Sequence, residues 1–210
     1  MKIDRLILGD FETNCYVLRD SSTPHDCLLI DTGLDPEPLL DFLERNKLTP
    51  AALILTHGHA DHIAGVEPLR KIFPAIVVYI HKLDAEMLTN AAANLSIMAG
   101  SSLTAKKADH FVEDGDILEK IEIKLRVIHT PGHTPGGICL YCEKDGVIFV
   151  GDTLFAGSIG RTDFPNGDMR QLISGIKSKL FKLPENTTVY PGHGPETTIG
   201  QEMAENPFLS

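Results

Sequence analysis

The sequence crowds metal-ligating side chains into one short stretch. His57-Gly58-His59-Ala60-Asp61-His62 places three imidazoles and one carboxylate within six residues. Without a cation these groups would repel one another or stay poorly satisfied, whereas a dication satisfies them all. Gly58 and Ala60 are small enough to let the loop fold tightly. The stretch therefore indicates a metal site.

Three further candidate ligands have a similar setting, because each comes just after a predicted strand and beside a glycine. They are His133 after Gly132, Asp152 after Gly151, and His193 after Gly192. Ligands at consecutive strand ends can converge on one rim, and the neighbouring glycines permit unusual backbone angles and close approach. We therefore predict one metal centre formed by His57, His59, Asp61, His62, His133, Asp152 and His193.

The elements that must position these ligands alternate between strands and helices. In the first half of the chain, apolar and β-branched runs predict strands at Lys2 to Leu8, Asn14 to Leu18, Cys27 to Ile30, Ala51 to Leu55 and Ile76 to Ile80. Helical spacing predicts helices from Pro36 to about Asn46 and from Leu69 to Phe73. The fourth predicted strand runs straight into Thr56-His57.

The second half begins with an irregular segment, residues 83–107, which starts helically and then loses its pattern, as a surface loop, a lid or a substrate wall would. Strand signals then return from Phe111 onward, at Ile121 to Ile128, Ile138 to Tyr141, Val147 to Val150 and Thr188 to Tyr190. Asp168 can cap a helix through about Leu180, and the tail 196–205 can be helical. Two sheets with helices outside fit this order.

Length and composition favour one enzyme-sized domain covering residues 1–210. A chain with 42% hydrophobic residues can close one substantial core. No apolar run approaches the roughly 20 residues that span a bilayer, and no secretory signal is present, so we expect a soluble, cytoplasmic protein. The net charge of -10 argues against nucleic acid and anionic membranes as partners.

The four cysteines are too few and too scattered for a disulfide framework, which fits a reducing compartment. Cys139 and Cys142 form a CxxC, but it lies in a predicted strand, where residues three apart point to opposite faces. We interpret them as two packed thiols.

The order of the candidate ligands resembles a known family. A THxHxDH motif followed by a lone His, a Gly-Asp-Thr and a Gly-His resembles the full metal motif of the metallo-β-lactamase superfamily, and the match covers nearly the whole chain. The resemblance implies a four-layer αββα sandwich. It is greatest to glyoxalase II-type hydrolases, which keep Asp at position 152 and Asp-His at 61 and 62. True metallo-β-lactamases typically lack the bridging Asp, which argues against that activity.

Carried over residue by residue, the resemblance implies two divalent metal ions. One would bind to His57, His59 and His133, the second to Asp61, His62 and His193, and Asp152 would bridge both. These nitrogen and oxygen ligands suit zinc, and also iron or manganese. Two such ions would lower the pKa of a shared water toward about 7 and provide hydroxide at neutral pH.

The implied reaction is hydrolysis of a small-molecule thioester, such as an S-acylglutathione or a related thiol conjugate. Asp61 is the candidate catalytic residue, because it could accept a proton from the attacking water as well as bind metal. Asp31, at the end of its strand, either orients a metal-binding histidine or caps a turn. Phe155 lies beside a ligand loop and either lines the acyl pocket or packs in the core.

The chain also departs from glyoxalase II. It ends shortly after His193, without the C-terminal helical part that helps to hold glutathione. Arg161 occupies the position of a glutathione-contacting lysine, and Asp163 that of a tyrosine. Arg161 therefore either anchors a substrate carboxylate or pairs with Asp163.

The segment Gly160 to Phe164 resembles that of short, single-domain bacterial glyoxalase II-like hydrolases, and also that of persulfide dioxygenases. The latter use a single iron and conserve most of the same ligands, so an iron-dependent persulfide dioxygenase is the alternative function.

Overall fold

Two six-stranded sheets dominate the computed structural model, which describes residues 1–210. The first sheet contains, in spatial order, β1 (Lys2–Leu8), β2 (Thr13–Arg19), β3 (Asp26–Ile30), β4 (Thr49–Ile54), β5 (Val77–His81) and β6 (His110–Val112). The second contains β7 (Ile117–Lys120), β8 (Ile123–His129), β9 (Ile138–Cys142) and β10 (Val147–Gly151). After the hairpin of β11 (Leu154–Phe155) and β12 (Ser158–Ile159), it is completed by β13 (Thr188–Pro191) and β14 (Thr197–Thr198).

Five α-helices connect or follow these strands. They are α1 (Glu37–Arg45), α2 (Ala60–Ile63), α3 (Val66–Ile72), α4 (Met169–Lys179) and α5 (Ile199–Glu205). Two stretches of 3-10 helix, Lys82–Leu88 and Leu180–Lys182, complete the helical segments. None of the helices is long and apolar enough to cross a membrane.

Three buried hydrophobic clusters define four layers. The first holds residues of α1 and α3, such as Leu39 and Leu69, against the outer face of the first sheet. The second lies between the two sheets and includes Tyr16 and Phe149. The third packs α4, α5 and the outer face of the second sheet, with Leu172 among its residues. This arrangement confirms the predicted αββα sandwich.

The central strands are buried on both faces, which explains why they are apolar throughout rather than alternating. On β4, Leu53 packs in the first cluster and its neighbour Ile54 in the second. On β9, Cys139 packs in the third cluster and Cys142 in the second. The prediction that the CxxC thiols point to opposite faces is therefore confirmed, and all four cysteines are free and buried.

Strand direction brings the ligand-bearing loops to one edge of the sandwich. β3 and β4 are parallel in the first sheet. In the second sheet β10 is parallel to β13, and both β8 and β10 are antiparallel to β9, so β8, β10 and β13 run the same way. Their carboxyl ends therefore lie together, next to the loop that follows β4.

Direct hydrogen bonds join the two sheets at this edge. The Ile138 N–H donates to the carbonyl of Thr56 at 2.9 Å. From β2, the Tyr16 hydroxyl and the Asn14 side-chain amide both donate to the carbonyl of Pro191, at 2.6 and 2.9 Å. These bonds fix the position of the second sheet's loops relative to those of the first.

Three details differ from the prediction. The strand predicted from Ile121 begins only at Ile123, because Ile121 and Glu122, both with positive φ, form the turn between β7 and β8. Helix α3 begins at Val66 rather than Leu69, because Pro68 falls in the first turn, where its missing N–H has no helical partner to lose. The hairpin of β11 and β12 has strands of only two residues, too short to show a period in the sequence.

We expect Leu140→Ala, which empties a fully buried position between the sheets, to lower the free energy of unfolding by about 3 kcal/mol. Ile117→Ala, at an edge-strand position that is 47% exposed, should cost less than about 1 kcal/mol. Urea denaturation of both variants measures the difference. Equal losses would contradict the assignment of Leu140 to the core.

Candidate metal centre

All seven predicted ligands converge at the joined edge of the two sheets. They form three overlapping groups in which one donor atom from each residue lies within 4.8 Å of the others: His57, His59 and His133; His57, His62 and Asp152; and Asp61, His62 and His193. Histidines at 57 and 62 therefore connect residues that are far apart in sequence.

The potential metal-binding atoms of neighbouring candidate ligands lie close together. His59 Nδ1 lies 2.9 Å from His133 Nε2, and His62 Nε2 lies 3.3 Å from His193 Nε2. Asp61 Oδ2 is 3.3 Å from His62 Nε2 and 3.2 Å from His193 Nε2. The donors therefore point at one another and not away into solvent.

Asp152 lies between the groups. Its Oδ2 is 3.5 Å from Nε2 of His133 and 3.5 Å from Nε2 of His193, and its Oδ1 is 3.5 Å from Nε2 of His62. One carboxylate thus reaches histidines of both the first and the third group. This is the position that a bridging ligand requires.

Among the potential metal-binding atoms of the candidate ligands, two are buried without a hydrogen-bond partner in the protein, namely His57 Nε2 and Asp152 Oδ1. An unpaired polar atom that is buried costs free energy, and such atoms are rare in folded proteins. A cation held among the histidines and carboxylates would satisfy both. The donor set of imidazole nitrogens and carboxylate oxygens fits divalent zinc, iron or manganese.

Burial and mutual repulsion keep two of the histidines neutral. The pKa of His57 is well below its ordinary value, mainly because of burial and then because of neighbouring imidazoles. Burial and the nearby His133 lower the pKa of His59 to about 3. Neutral imidazole is the form that binds a metal, so these residues need no deprotonation to act as ligands.

Two other candidate ligands, His62 and His193, have raised pKa values because they lie beside carboxylates. Burial lowers the pKa of His62, but the charges of Asp61 and Asp31 outweigh it and raise the pKa well above its ordinary value. Burial likewise lowers the pKa of His193, and hydrogen bonds to Asp152 and Asp61 raise it to about 10. A metal that binds here must displace these protons.

The carboxylates are correspondingly ionised. Burial raises the pKa of Asp152, but the charge of His62 and the hydrogen bond from His193 prevail and lower it to about 2. Burial also raises the pKa of Asp61, and the same two histidines prevail and lower it below its ordinary range. Both carboxylates are therefore available as anionic ligands at neutral pH.

Asp31 orients a histidine, the first of the two roles that the sequence left open, and also joins the end of β3 to the segment after β4. It accepts hydrogen bonds from the N–H and the hydroxyl of Thr56, at 2.8 and 2.7 Å. Its Oδ2 also lies 2.9 Å from His62 Nδ1. With Nδ1 occupied in this way, Nε2 of His62 faces the centre.

Backbone carbonyls orient two more rings in the same manner. His133 Nδ1 lies 2.7 Å from the carbonyl oxygen of Arg161, and His193 Nδ1 lies 2.9 Å from that of Phe11. In each case Nε2 is left to face the centre. Carbonyl partners of this kind fix the tautomer of a metal-binding histidine.

Close backbone approach around the centre requires glycine at position 192. A Cβ at Gly192 would lie 2.2 Å from Asp152 Oδ1 and 2.8 Å from Cε1 of His62. Any side chain at this position would therefore displace two of the candidate ligands.

Asp84 is a functional residue that sequence reasoning missed. Its side chain is fully buried and accepts hydrogen bonds from Gly58 N–H at 3.1 Å, Thr134 hydroxyl at 2.7 Å and Gly136 N–H at 2.6 Å. Gly58 lies between two ligands, and Thr134 follows a third, His133. One carboxylate thus clamps the two loops that carry the three-histidine group.

A cavity of about 690 Å³ opens onto the centre, and His59, Asp61, His133, Asp152 and His193 form part of its lining. A ligand that enters this cavity reaches donors of all three groups. The volume is that of a pocket for a small molecule.

Arg161 also lines the cavity, and its guanidinium pairs with Asp163 through two contacts of 3.0 and 2.9 Å. It stacks over the ring of Phe164, with Cζ 4.3 Å from the ring centroid. Phe155 lines the cavity as well, the first of the two positions considered for it.

A cluster of buried histidines and aspartates at the open edge of an αββα sandwich defines a metal-dependent enzyme class. The chain belongs to the metallo-beta-lactamase superfamily, whose family model matches residues 8–193. The matched range covers β2 to β6 of the first sheet and every candidate ligand.

Relatives share the whole length of the chain. It is 37% identical to the "Probable metallo-hydrolase YqgX" of Bacillus subtilis, covering 100% of this chain and 98% of the relative. It is 35% identical to the "Hydroxyacylglutathione hydrolase GloC" of Haemophilus influenzae, covering 100% of this chain and 99% of the relative.

Solved structures with a similar fold also cover nearly the whole chain. A structure described as the "BLEG-1 B3 metallo-beta-lactamase" has a TM-score of 0.94 at 42% identity and covers 100% of both chains. TTHA1623 "in a di-iron-bound form" has a TM-score of 0.84 at 36% identity, covering 98% of this chain and 100% of that one. ETHE1 from Myxococcus xanthus has a TM-score of 0.79 at 29% identity, covering 99% and 84%.

We expect Asp84→Asn to weaken zinc binding about 10- to 100-fold, because the amide would turn an N–H toward donors that now meet carboxylate oxygens. Competition with a chromophoric chelator measures the affinity. Asp109→Asn is the matched control, since Asp109 accepts hydrogen bonds from Val78 N–H on the first sheet and from Arg70 on α3.

The control should bind zinc as the wild type does. Unchanged zinc affinity in Asp84→Asn, or an equal loss in both variants, would contradict the clamp.

Proposed function

We propose that the protein is a dinuclear metal-dependent hydrolase that cleaves thioesters, acting on an S-acylglutathione or a related small thiol conjugate. The observation that carries the proposal is the position of Asp152, which reaches histidines of two ligand groups at the base of one cavity. The relative described as a hydroxyacylglutathione hydrolase supports the thioester as substrate.

In this proposal the seven residues divide between two ions, with one ion on His57, His59 and His133, the other on Asp61, His62 and His193, and Asp152 shared. When bound, the two ions lower the pKa of water toward about 7 and stabilise developing negative charge on a carbonyl oxygen. Zinc is the metal that we propose, and iron and manganese suit the same donors.

Asp61 is the proposed catalytic residue. Its Oδ2 accepts a hydrogen bond from the Thr13 hydroxyl at 3.1 Å, and this contact holds the carboxylate at the cavity. Asp61 is ionised at neutral pH and lines the cavity, so its carboxylate is placed to accept the proton of an attacking water.

A thioester suits the groups that face the cavity. A thiolate leaves readily and needs little assistance from a general acid, so the reaction requires only a nucleophile, a proton acceptor and stabilisation of the carbonyl oxygen. The cluster supplies donors for these roles within one cavity.

We further propose a small molecule as the partner, and not nucleic acid or a membrane surface, on the basis of the net charge of -10. The cytoplasm is the proposed compartment, where four free thiols stay reduced.

Two other activities are favoured by particular relatives. Similarity to ETHE1 supports an iron-dependent persulfide dioxygenase, which would consume oxygen and hold one iron per chain. Similarity to the BLEG-1 lactamase supports β-lactam hydrolysis. A glutathione persulfide and a chromogenic cephalosporin therefore belong in the same assay as the thioester.

We expect purified protein with about two divalent ions per chain to hydrolyse S-D-lactoylglutathione. His133→Ala should reduce kcat/KM about hundredfold or more, since even the outer partners of a metal ligand cost 10- to 100-fold. Thioester absorbance and elemental analysis measure rate and metal content. His25→Ala, at an exposed turn, is the matched control and should retain full activity.

Negligible turnover of S-D-lactoylglutathione and other thioesters by fully metallated protein would overturn the thioesterase function. One iron per chain with oxygen consumption on the persulfide would favour the dioxygenase instead, and turnover of the cephalosporin alone would favour the lactamase.

We expect Asp61→Asn to lose about hundredfold or more in kcat, because an amide cannot accept a proton. The ion on the three-histidine group should remain, so elemental analysis should still find at least one metal per chain. An unimpaired rate would contradict the role of Asp61 as proton acceptor.

A further inference from the structure

Several apolar side chains line the cavity, and four of them are left partly or largely exposed by the rest of the protein. Phe11 is 53% exposed and Met98 is 74% exposed, while Leu34 and Leu95 are half-buried. Single exposed apolar residues are ordinary, but four around one cavity mark a place where an apolar group binds. We call these four residues the apolar wall.

The backbone of the apolar wall is strained at Leu95. Its φ is +67°, in the left-handed region that a residue with a branched apolar side chain rarely adopts. Asparagine or glycine would take this conformation at lower cost. A leucine at such a position, with its side chain lining the cavity, points to a requirement for an apolar group there.

Buried polar residues on either side hold Leu95 in place. The Asn94 side chain donates to the carbonyls of Met87 and Leu103, both at 2.9 Å, and accepts from Ser96 N–H at 3.0 Å. Asn94 and Ser96 are both fully buried. The segment around Leu95 is therefore held by hydrogen bonds to its neighbours and forms one wall of the cavity, which supports the substrate wall among the readings left open for residues 83–107.

The same segment is attached directly to the ligand loop. The N–H of Ala60, between two candidate ligands, donates to the carbonyl of Asn94 at 2.9 Å. The apolar wall thus has a set position relative to the metal centre. Although Asn94 lines the cavity, its amide is fully engaged in these bonds and offers no free donor to a polar substrate group.

Charged groups of the cavity lie elsewhere. Apart from the candidate ligands, Arg161 is the charged residue in its lining, and its guanidinium is paired with Asp163. A polar or charged acyl group placed against the apolar wall would lose water without gaining a partner.

We propose that the acyl group of the natural substrate is apolar, a medium-length aliphatic chain or an aromatic ring that packs against Phe11, Leu34, Leu95 and Met98. The proposal rests on the proposed thioesterase function and narrows its substrate class. An apolar acyl thioester is then preferred over a lactoyl or acetyl thioester, because only the apolar chain gains from contact with the wall.

Binding of thioethers tests the wall separately from hydrolysis. S-hexylglutathione and S-methylglutathione carry no thioester bond, and isothermal titration of each into zinc-loaded protein gives its Kd. Each buried methylene is worth roughly fourfold in affinity, so S-hexylglutathione should bind about tenfold tighter or more even when partly buried. Equal Kd values for the two thioethers would overturn the proposal.

Two variants locate the binding energy. Leu95→Asn places a residue that tolerates positive φ, so its melting temperature should be no lower than that of the wild type. Met98→Gln keeps the length of the side chain and removes its apolar character. Both should reduce the ratio of the two Kd values about threefold or more. Met203→Gln, at a 44% exposed position on α5, is the control and should leave the ratio unchanged.

A ratio unchanged in both wall variants would overturn the assignment to these residues. Hydrolysis then separates this proposal from the function on which it rests. If S-hexylglutathione binds tightly through the wall but no S-acylglutathione is hydrolysed, the thioesterase function fails and the apolar site stands. If S-acetyl- and S-hexanoylglutathione are hydrolysed with equal kcat/KM, the function stands and the apolar preference fails.

Discussion

Seven candidate ligands are crowded together at one edge of this protein, and burial and repulsion act against the three-histidine group among them. Desolvation and repulsion lower the pKa of His57 and His59, and a nitrogen of His57 and an oxygen of Asp152 are buried without a partner. The surrounding structure must supply the energy that keeps these donors close. The clamp by Asp84, the hydrogen bonds that Asp31 accepts and the hydrogen bonds between the two sheets all act on the loops that carry the ligands.

The sequence predicted most of what depends on neighbours in the chain. Four candidate ligands stand within six residues after an apolar run, and the others each follow a strand and a glycine, so their convergence could be expected from strand order alone. The order of strands and helices likewise predicted two sheets with helices outside, as the αββα layers confirm.

Features that depend on distant residues could not be predicted in this way. Asp84 is a single carboxylate without motif spacing, and its partners at Gly58 and Gly136 lie far from it in sequence. The positive φ of Leu95 is equally hidden, because leucine gives no signal for a left-handed conformation. The one available signal for Asp84 was an acidic residue three positions after the end of a buried strand.

The centre and the cavity walls come from different parts of the chain. Candidate ligands follow β4, β8, β10 and β13, whose positions are set by the sheets. The walls come from connecting segments, with Phe11 between β1 and β2 and Leu95 in the long connection from β5 to β6. Connecting segments vary more readily than sheets. Because of this division, proteins of similar fold can differ as much as those described as a lactamase and as a hydroxyacylglutathione hydrolase.

All four cysteines are buried, and this placement limits their reaction with disulfides. Thiol–disulfide exchange requires a thiolate that can reach the partner sulfur. Burial raises the pKa of Cys15, Cys27, Cys139 and Cys142 alike, so each stays protonated at neutral pH and out of reach. Buried and protonated thiols of this kind exchange slowly with disulfides, including those that the thiol product of the proposed reaction would form on oxidation.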